Sequence, residues 1–285
     1  MKHENIYAYG AACLSVVIWA GWIILSRLGV QTALTPYDIT LLRFGTAALI
    51  TLPFSLTYNW KTVKWNQVLL IALGCGFPYT MLSFFGLKTI KAANAGVLVN
   101  GMLPVLGLLF TYFWFKGKIS ALKYLSVILL LLANFCMMNL FSNNAEFNGL
   151  GVAFMLCAAC VFSTYMAAIK RWGYSMKDVV SFVPIINAIL FIPIWLSTSS
   201  QIVHAPLSDV LLQVIYQGII VSIGALLLIT YAVQRLGSET MAVFLSYVPV
   251  VTALLAFLIL KEALSLQELI GIVLCTIGLY VYTKG

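Results

Sequence analysis

The sequence predicts an all-α membrane protein of ten transmembrane helices, built as two inverted five-helix repeats. Three observations predict it. Of 285 residues, 62% are hydrophobic and only 8% are Asp, Glu, Lys or Arg, where a soluble domain carries roughly 25% charged residues. That deficit excludes a soluble globule, which needs charge to cover its surface, and it excludes intrinsic disorder, which needs low hydrophobicity. Second, charge, Pro, Gly and Asn divide the chain into ten apolar runs, each close to the roughly 20 residues that cross a bilayer. Third, the chain halves near Asn144 into 1–144 and 145–285, with five runs in each. An odd number of crossings obliges the second half to enter the membrane upside down relative to the first.

The elements follow in order. Run 6–26 is too long for the apolar core of a cleavable signal and reads as a retained first span. Ser15, Trp19, Trp22 and Ser26 share one of its faces, which suits a cavity better than lipid. Run 37–57 opens with Asp38, a helix N-cap candidate, and contains Arg43 and Pro53. Run 67–87 contains Pro78 and Tyr79, and run 93–114 contains Asn100 and Pro104. Run 121–141 completes the first half. Run 149–169 holds Cys157, Cys160 and Ser163-Thr164-Tyr165. Run 179–198 follows Asp178 and contains Asn187 and Pro193, and run 209–231 contains Gln217. Run 240–260 follows Ser238-Glu239, a cap candidate like Asp38 and Asp178, and contains Tyr247 and Pro249; run 267–283 closes the chain.

Charge orients the bundle. With the N-terminus inside, eleven of the 16 Lys and Arg residues fall on inner segments. Arg27, Arg43, Lys88, Lys91 and Lys261 fall at outer ends. The excess of positive charge inside places both termini in the cytoplasm. The net charge of +8 is therefore explained by topology, and no nucleic-acid partner is expected. Trp60, Trp65, Trp114, Trp172 and Trp195 lie near span ends, as an interfacial aromatic belt would. All six cysteines fall in apolar stretches, and Cys157-x-x-Cys160 has no second pair at zinc-site spacing, so no disulfide framework, metal or cofactor is expected.

The halves also match in detail. Asp38 and Pro53 are 15 residues apart, as are Asp178 and Pro193; Lys116 and Ser120 match Lys261 and Ser265 at one offset. Inverted repeats are a recurrent plan of secondary transporters, with the substrate near the midplane between the halves. A mid-span proline frees the carbonyl four residues earlier, so Pro78, Pro104 and Pro249 are candidate hinges, freeing Gly74, Asn100 and Leu245. The expected cavity lining is Trp19, Tyr79, Asn100, Tyr165, Gln217 and Tyr247. All eight acids and both histidines sit at or beyond span ends, which leaves no deep proton relay and suits facilitated diffusion or exchange. The basic outer mouth, Arg43, Lys88, Lys91 and Lys261, could attract anionic groups such as a carboxylate, and is expected rather to form salt bridges or bind headgroups.

The stretch AVQRLGSETMAVFLSYVPVVTALLAFLILKEALSLQELIGIVLCTIGLYVY, 232–282, resembles the C-terminal part of an EamA domain. Pro249, Lys261-Glu262, Leu264-Ser265, Gly271 and Gly278 carry the resemblance, and Arg43 falls where the family often has an Arg. Gly117 stands where the family commonly has Glu, so that role carries over only to Glu262. The resemblance spans the chain as two EamA repeats of the drug/metabolite transporter superfamily. It implies a bacterial inner-membrane transporter, frequently an exporter of amino acids or related metabolites, acting as a monomer or weak homodimer. The competing expectations are a sugar-phosphate, nucleotide-conjugate or drug carrier of the same superfamily, and an intramembrane enzyme. The last is disfavoured because the sequence has no H-E-x-x-H, G-x-S-x-G or P-loop motif.

Overall fold

A computed structural model describes residues 2–114, 116, 120–137, 148–236, 241, 244–245 and 247–284. Asn144, the loop 142–147, Gly117, Lys118 and Ser238-Glu239 lie outside the described residues. The helices are α1 (Lys2–Gly29), α2 (Pro36–Leu56), α3 (Trp65–Gly74), α4 (Phe77–Leu87), α5 (Ala92–Phe113) and α6 (Ala121–Met137). They continue as α7 (Gly149–Trp172), α8 (Met176–Leu196), α9 (Leu207–Gln213), α10 (Ala225–Leu236), α11 (Val248–Leu255) and α12 (Leu266–Lys284). Two π-helical stretches, Val214–Gly224 and Ala256–Leu260, extend α9 into α10 and prolong α11. Among the described residues, eight helices are long and apolar enough to cross a membrane, and Ala121–Cys136 and Val248–Leu260 are shorter apolar helices.

The surface inverts that of a soluble protein. Leu49, Leu56, Ile189, Leu196 and Leu254 face outward, while Ser15, Ser26, Asp38, Arg43, Asn187, Gln217 and Glu268 are buried. Such an apolar exterior is stable only against hydrocarbon. The chain is a multi-pass membrane protein.

Local sequence starts several of these helices. Thr35 Oγ1 accepts from the Asp38 amide at 3.1 Å, and Asp38 Oδ2 accepts from the Thr35 amide at 3.0 Å. Ser175 and Asp178 repeat this reciprocal capping at the start of α8, at 3.2 and 2.8 Å. Each satisfies amides that the first helical turn leaves without partners. Ser265 and Glu268 open α12 in the same way. Gly173, at φ 67°, ends α7 in the left-handed conformation that glycine adopts without penalty.

The third crossing is not one helix. It breaks at Cys75-Gly76, between α3 and α4, and Asn187 of α8 fills the gap. The Asn187 amide nitrogen donates to the Ala72 carbonyl at 2.9 Å, and its oxygen accepts from the Phe77 amide at 2.8 Å. A Cβ on Gly76 would overlap Asn187, so glycine is required there. Pro78 and Pro249 therefore do not kink helix interiors as the sequence suggests. Each lies in the first turn of its helix, α4 or α11, where a missing amide costs nothing. Pro104 does lie inside its helix, α5.

The largest helix contacts are α6 with α12 and α2 with α8. Several of the others come in pairs. α7 packs on α4 and α5 as α1 packs on α10 and α11, and α2 packs on the Val214–Gly224 stretch as α8 packs on α3. This arrangement brings α1, α2, α4, α5, α7 and α8 around one central space.

Candidate functional cavity

That space is a cavity of about 350 Å3. Residues before and after position 144 contribute equally to its wall. Trp19, Tyr79, Asn100 and Tyr165, four of the six expected lining residues, are all on it. Trp22 stacks on Tyr79 with ring centroids 5.6 Å apart, Tyr79 meets Phe162 at 4.8 Å, and Phe162 meets Tyr165 at 5.4 Å. Trp19 closes the row, 6.3 Å from Trp22 and edge-on to it. The result is a continuous aromatic wall. Phe162 is the member that sequence reading missed, because a phenylalanine in an apolar span carries no signal of its own. Asn100 turns back on its helix and donates to the Gly96 carbonyl at 2.7 Å.

Gln217 and Tyr247 differ from expectation. Gln217 is fully buried just behind the wall, and Tyr247 lies half-exposed away from the cavity. Tyr247 immediately precedes α11, at its N-cap position. Gln217 organises the polar part of the site from the π-helical stretch. Its Oε1 accepts from Trp22 Nε1 at 2.9 Å and from Arg43 Nη1 at 3.1 Å, and its Nε2 donates to Ser26 Oγ at 3.0 Å.

Arg43 is the main correction. The sequence places it at the outer mouth, whereas it is 93% buried and lines the cavity. Seven residues beyond Pro36, at 1.5 Å per residue, it lies about 10 Å from the start of its helix. Its guanidinium carbon sits 5.7 Å from the Trp22 ring centroid and 5.5 Å from that of Phe44. Its Nε has no hydrogen-bond partner among the described residues.

Two other basic groups at that end, Arg27 and Lys91, are paired. Arg27 Nε meets Glu262 Oε1 at 3.1 Å, and Arg27 also donates to the carbonyl of Leu87, a cavity residue. Glu262 Oε2 accepts from the Ala92 amide at 2.9 Å. Lys91 Nζ meets Glu268 at 3.2 Å and donates to the Ala263 carbonyl at 3.0 Å. The α4–α5 junction and α1 are thus fastened to the turn before α12. Lys261, at φ 57°, shapes that turn. Of the basic residues at this end, Arg27 and Lys91 are those in ion pairs among the described residues. Glu268 is fully buried beneath Lys91 rather than at a wet span end.

Asp38 accepts from Trp195 Nε1 at 2.9 Å, Ser200 Oγ at 2.8 Å and the Gln201 amide at 3.1 Å. Trp195 is therefore a partner of Asp38 more than a belt residue. At the opposite end Trp60 stacks on Trp65, and Trp114 meets Trp172 edge-on. Outside the spans there, burial first and then the Asp178 charge push the Tyr58 and Tyr174 hydroxyls above their ordinary pKa. Cys157 and Cys160 are exposed, unpaired thiols on α7. Among the described residues no three His, Cys, Asp or Glu side chains converge as a metal site requires.

Comparisons with known proteins agree in kind. An "Uncharacterized transporter" of Clostridium kluyveri is 25% identical over 272 residues, covering 88% of this chain and 84% of that protein. One from Archaeoglobus fulgidus is 23% identical over 95% of both chains. The "Uncharacterized transporter YcxC" of Bacillus subtilis is 24% identical over 98% of this chain and 93% of its own. A crystal structure of a protein 20% identical in sequence superimposes with a TM-score of 0.65, covering 99% of this chain and 96% of that one, which establishes a shared fold. The sequence model of the EamA-like transporter family matches residues 6–139 and 149–284. Two matches that together span nearly the whole chain mean that this protein belongs to the EamA-like transporter family.

Proposed function

We propose that this transporter is a secondary carrier, an exporter or exchanger, that moves small organic metabolites across a bacterial inner membrane by alternating access. Amino acids are among the candidates. On this reading ten spans form two inverted five-helix repeats, 1–144 and 145–285, with both termini cytoplasmic. The observation that carries it is one cavity walled by both halves and fastened at one end. Arg27, Leu87, Ala92 and Glu262 tie α1 and the α4–α5 junction together beyond its Leu87 wall. Toward the other end it is lined by Met166, Met176, Val179 and Ile229, none of which has a charge to pair. The asymmetry fits a carrier closed on the Arg27 side.

In the mechanism, substrate enters along the apolar wall and displaces water from the aromatic faces. Breaking the Arg27–Glu262 and Lys91–Glu268 contacts while closing the Met176 side would turn the site to the other compartment. The broken third crossing and the π-helical stretch are suited to absorb that movement, because their backbone already departs from continuous α-helix.

The test is exchange in sealed proteoliposomes. A thermal-shift screen of small metabolites identifies binders, and each is then loaded inside and labelled outside. Counterflow of label is expected for ligands that stabilise the protein. Binders that never exchange would refute the carrier reading.

A further inference from the structure

We infer that Arg43 is the anchor for a carboxylate on the transported molecule, and that the cavity selects small monocarboxylates with an apolar or aromatic body over the matching zwitterions and amines. The inference rests on the carrier reading and narrows its substrate class. It begins with a contrast between cations. Arg27 and Lys91 each hold a carboxylate. Arg43 is more deeply buried than either, yet no carboxylate lies within ion-pair distance of it among the described residues. Of its five N–H donors, the described structure gives an acceptor to one, at Gln217 Oε1, and its buried Nε has none.

A purely structural arginine would be expected to have its fork filled. Here Gln217 and the Trp22 and Phe44 ring faces hold the guanidinium in place without neutralising it. An ionised side chain kept inside a membrane bundle without a counter-charge indicates a functional site. The planar fork fits a carboxylate with two parallel hydrogen bonds, which would supply both the missing charge and the missing acceptors.

The rest of the lining decides what kind of anion. Among the described residues, Arg43 is the sole charged one on the wall. A dianionic phosphate would leave uncompensated charge in an apolar cavity, whereas a monoanion is neutralised one for one. No Asp or Glu among the described residues is on the wall to meet an ammonium. The aromatic faces recover only part of the cost of desolvating one. They are well suited to a phenyl ring or a branched alkyl chain, which the row from Trp19 through Trp22, Tyr79 and Phe162 to Tyr165 can cover.

The test uses the purified full chain and one ring in three charge states: 3-phenylpropionate, phenylalanine and phenethylamine, with 4-methylpentanoate as an aliphatic acid. Binding by calorimetry or thermal shift at neutral pH is expected to fall in the order acid, zwitterion, amine. Arg43→Gln should weaken 3-phenylpropionate by about 30-fold or more, as truncating one partner of a buried charge pair does. Arg43→Lys should recover part of the loss, since it keeps the charge and loses the fork. Gln217→Glu leaves Arg43 in place but gives it a carboxylate of its own, and should weaken the acids and the zwitterion but not the amine. The anchor is overturned if phenethylamine binds as well as the acid, if Arg43→Gln binds acids like the parent protein, or if neither acid binds. Counterflow separates the two readings. Acids bound through Arg43 but never exchanged would leave the anchor standing and remove the carrier. Exchange of these acids that survives Arg43→Gln unchanged would do the reverse.

Discussion

Asp38 shows how much one side chain can hold. It caps its own helix through Thr35 and accepts from Trp195, Ser200 and the Gln201 amide, so it joins the start of α2 to the end of α8. Asp38→Asn keeps the size but loses the charge behind these bonds. The expected cost is about 1–3 kcal/mol, read as a lowered unfolding temperature in detergent. Trp19 and Tyr247 make a paired prediction for function. Trp19→Ala removes one end of the aromatic wall and should reduce flux in proteoliposomes at least severalfold. Tyr247→Ala, at a half-exposed ring away from the cavity, should leave flux near that of the parent protein. Equal losses in both would mean that the cavity is not the path.

At the scale of elements, the third crossing and the π-helical stretch carry the irregular backbone. Both pack against the long α2–α8 pair, one through Asn187 and the other through Gln217, and in each case an amide side chain spans the contact. Asn187→Ala would strand the Phe77 amide and the Ala72 carbonyl in an apolar interior. A loss of about 1–3 kcal/mol is expected for each group left without a partner. Hydrogen exchange should show faster opening confined to α3 and α4. Exchange that accelerates uniformly along the chain would instead mean that the break is not a local unit. Gly76→Ala should be worse than Asn187→Ala, because the new Cβ meets both Asn187 and the Ala72 carbonyl.

For the whole molecule the decisive contacts are those between distant parts of the chain. Arg27 and Glu262 are separated by 235 positions and form an ion pair with each side chain 13% exposed. An ion pair this sheltered loses more when one partner is removed than when both are exchanged. Arg27→Glu and Glu262→Arg should each impair transport, and the double exchange should restore part of it. Cysteines at 27 and 262 should stop transport when oxidised and release it on reduction. Free exchange through the cross-linked protein would show that this end does not open. Impermeant labelling of Lys88 and Lys261 from one side, and of Lys61 and Lys177 from the other, tests the proposed orientation.

Membrane residence and most span positions were legible in the sequence because hydropathy is local and additive along a run of residues. The aspartates that start α2 and α8 were legible for the same reason, though Thr35 and Ser175 are the N-caps and Asp38 and Asp178 answer them from three residues on. Four cavity residues could be named because Trp, Tyr and Asn stand out in an apolar span. What the sequence could not show is rotation and depth. A span that is hydrophobic on every face has no amphipathic stripe to say which side meets its neighbours. So the turning of Tyr247 away from the cavity, the break filled by Asn187 and the burial of Arg43 were set by packing between helices. By itself the sequence determined that this protein crosses a membrane many times around polar and aromatic groups. Only the tertiary structure decided that an arginine with no counter-charge among the described residues lies in their midst, because a missing partner is a fact about what surrounds a residue in space.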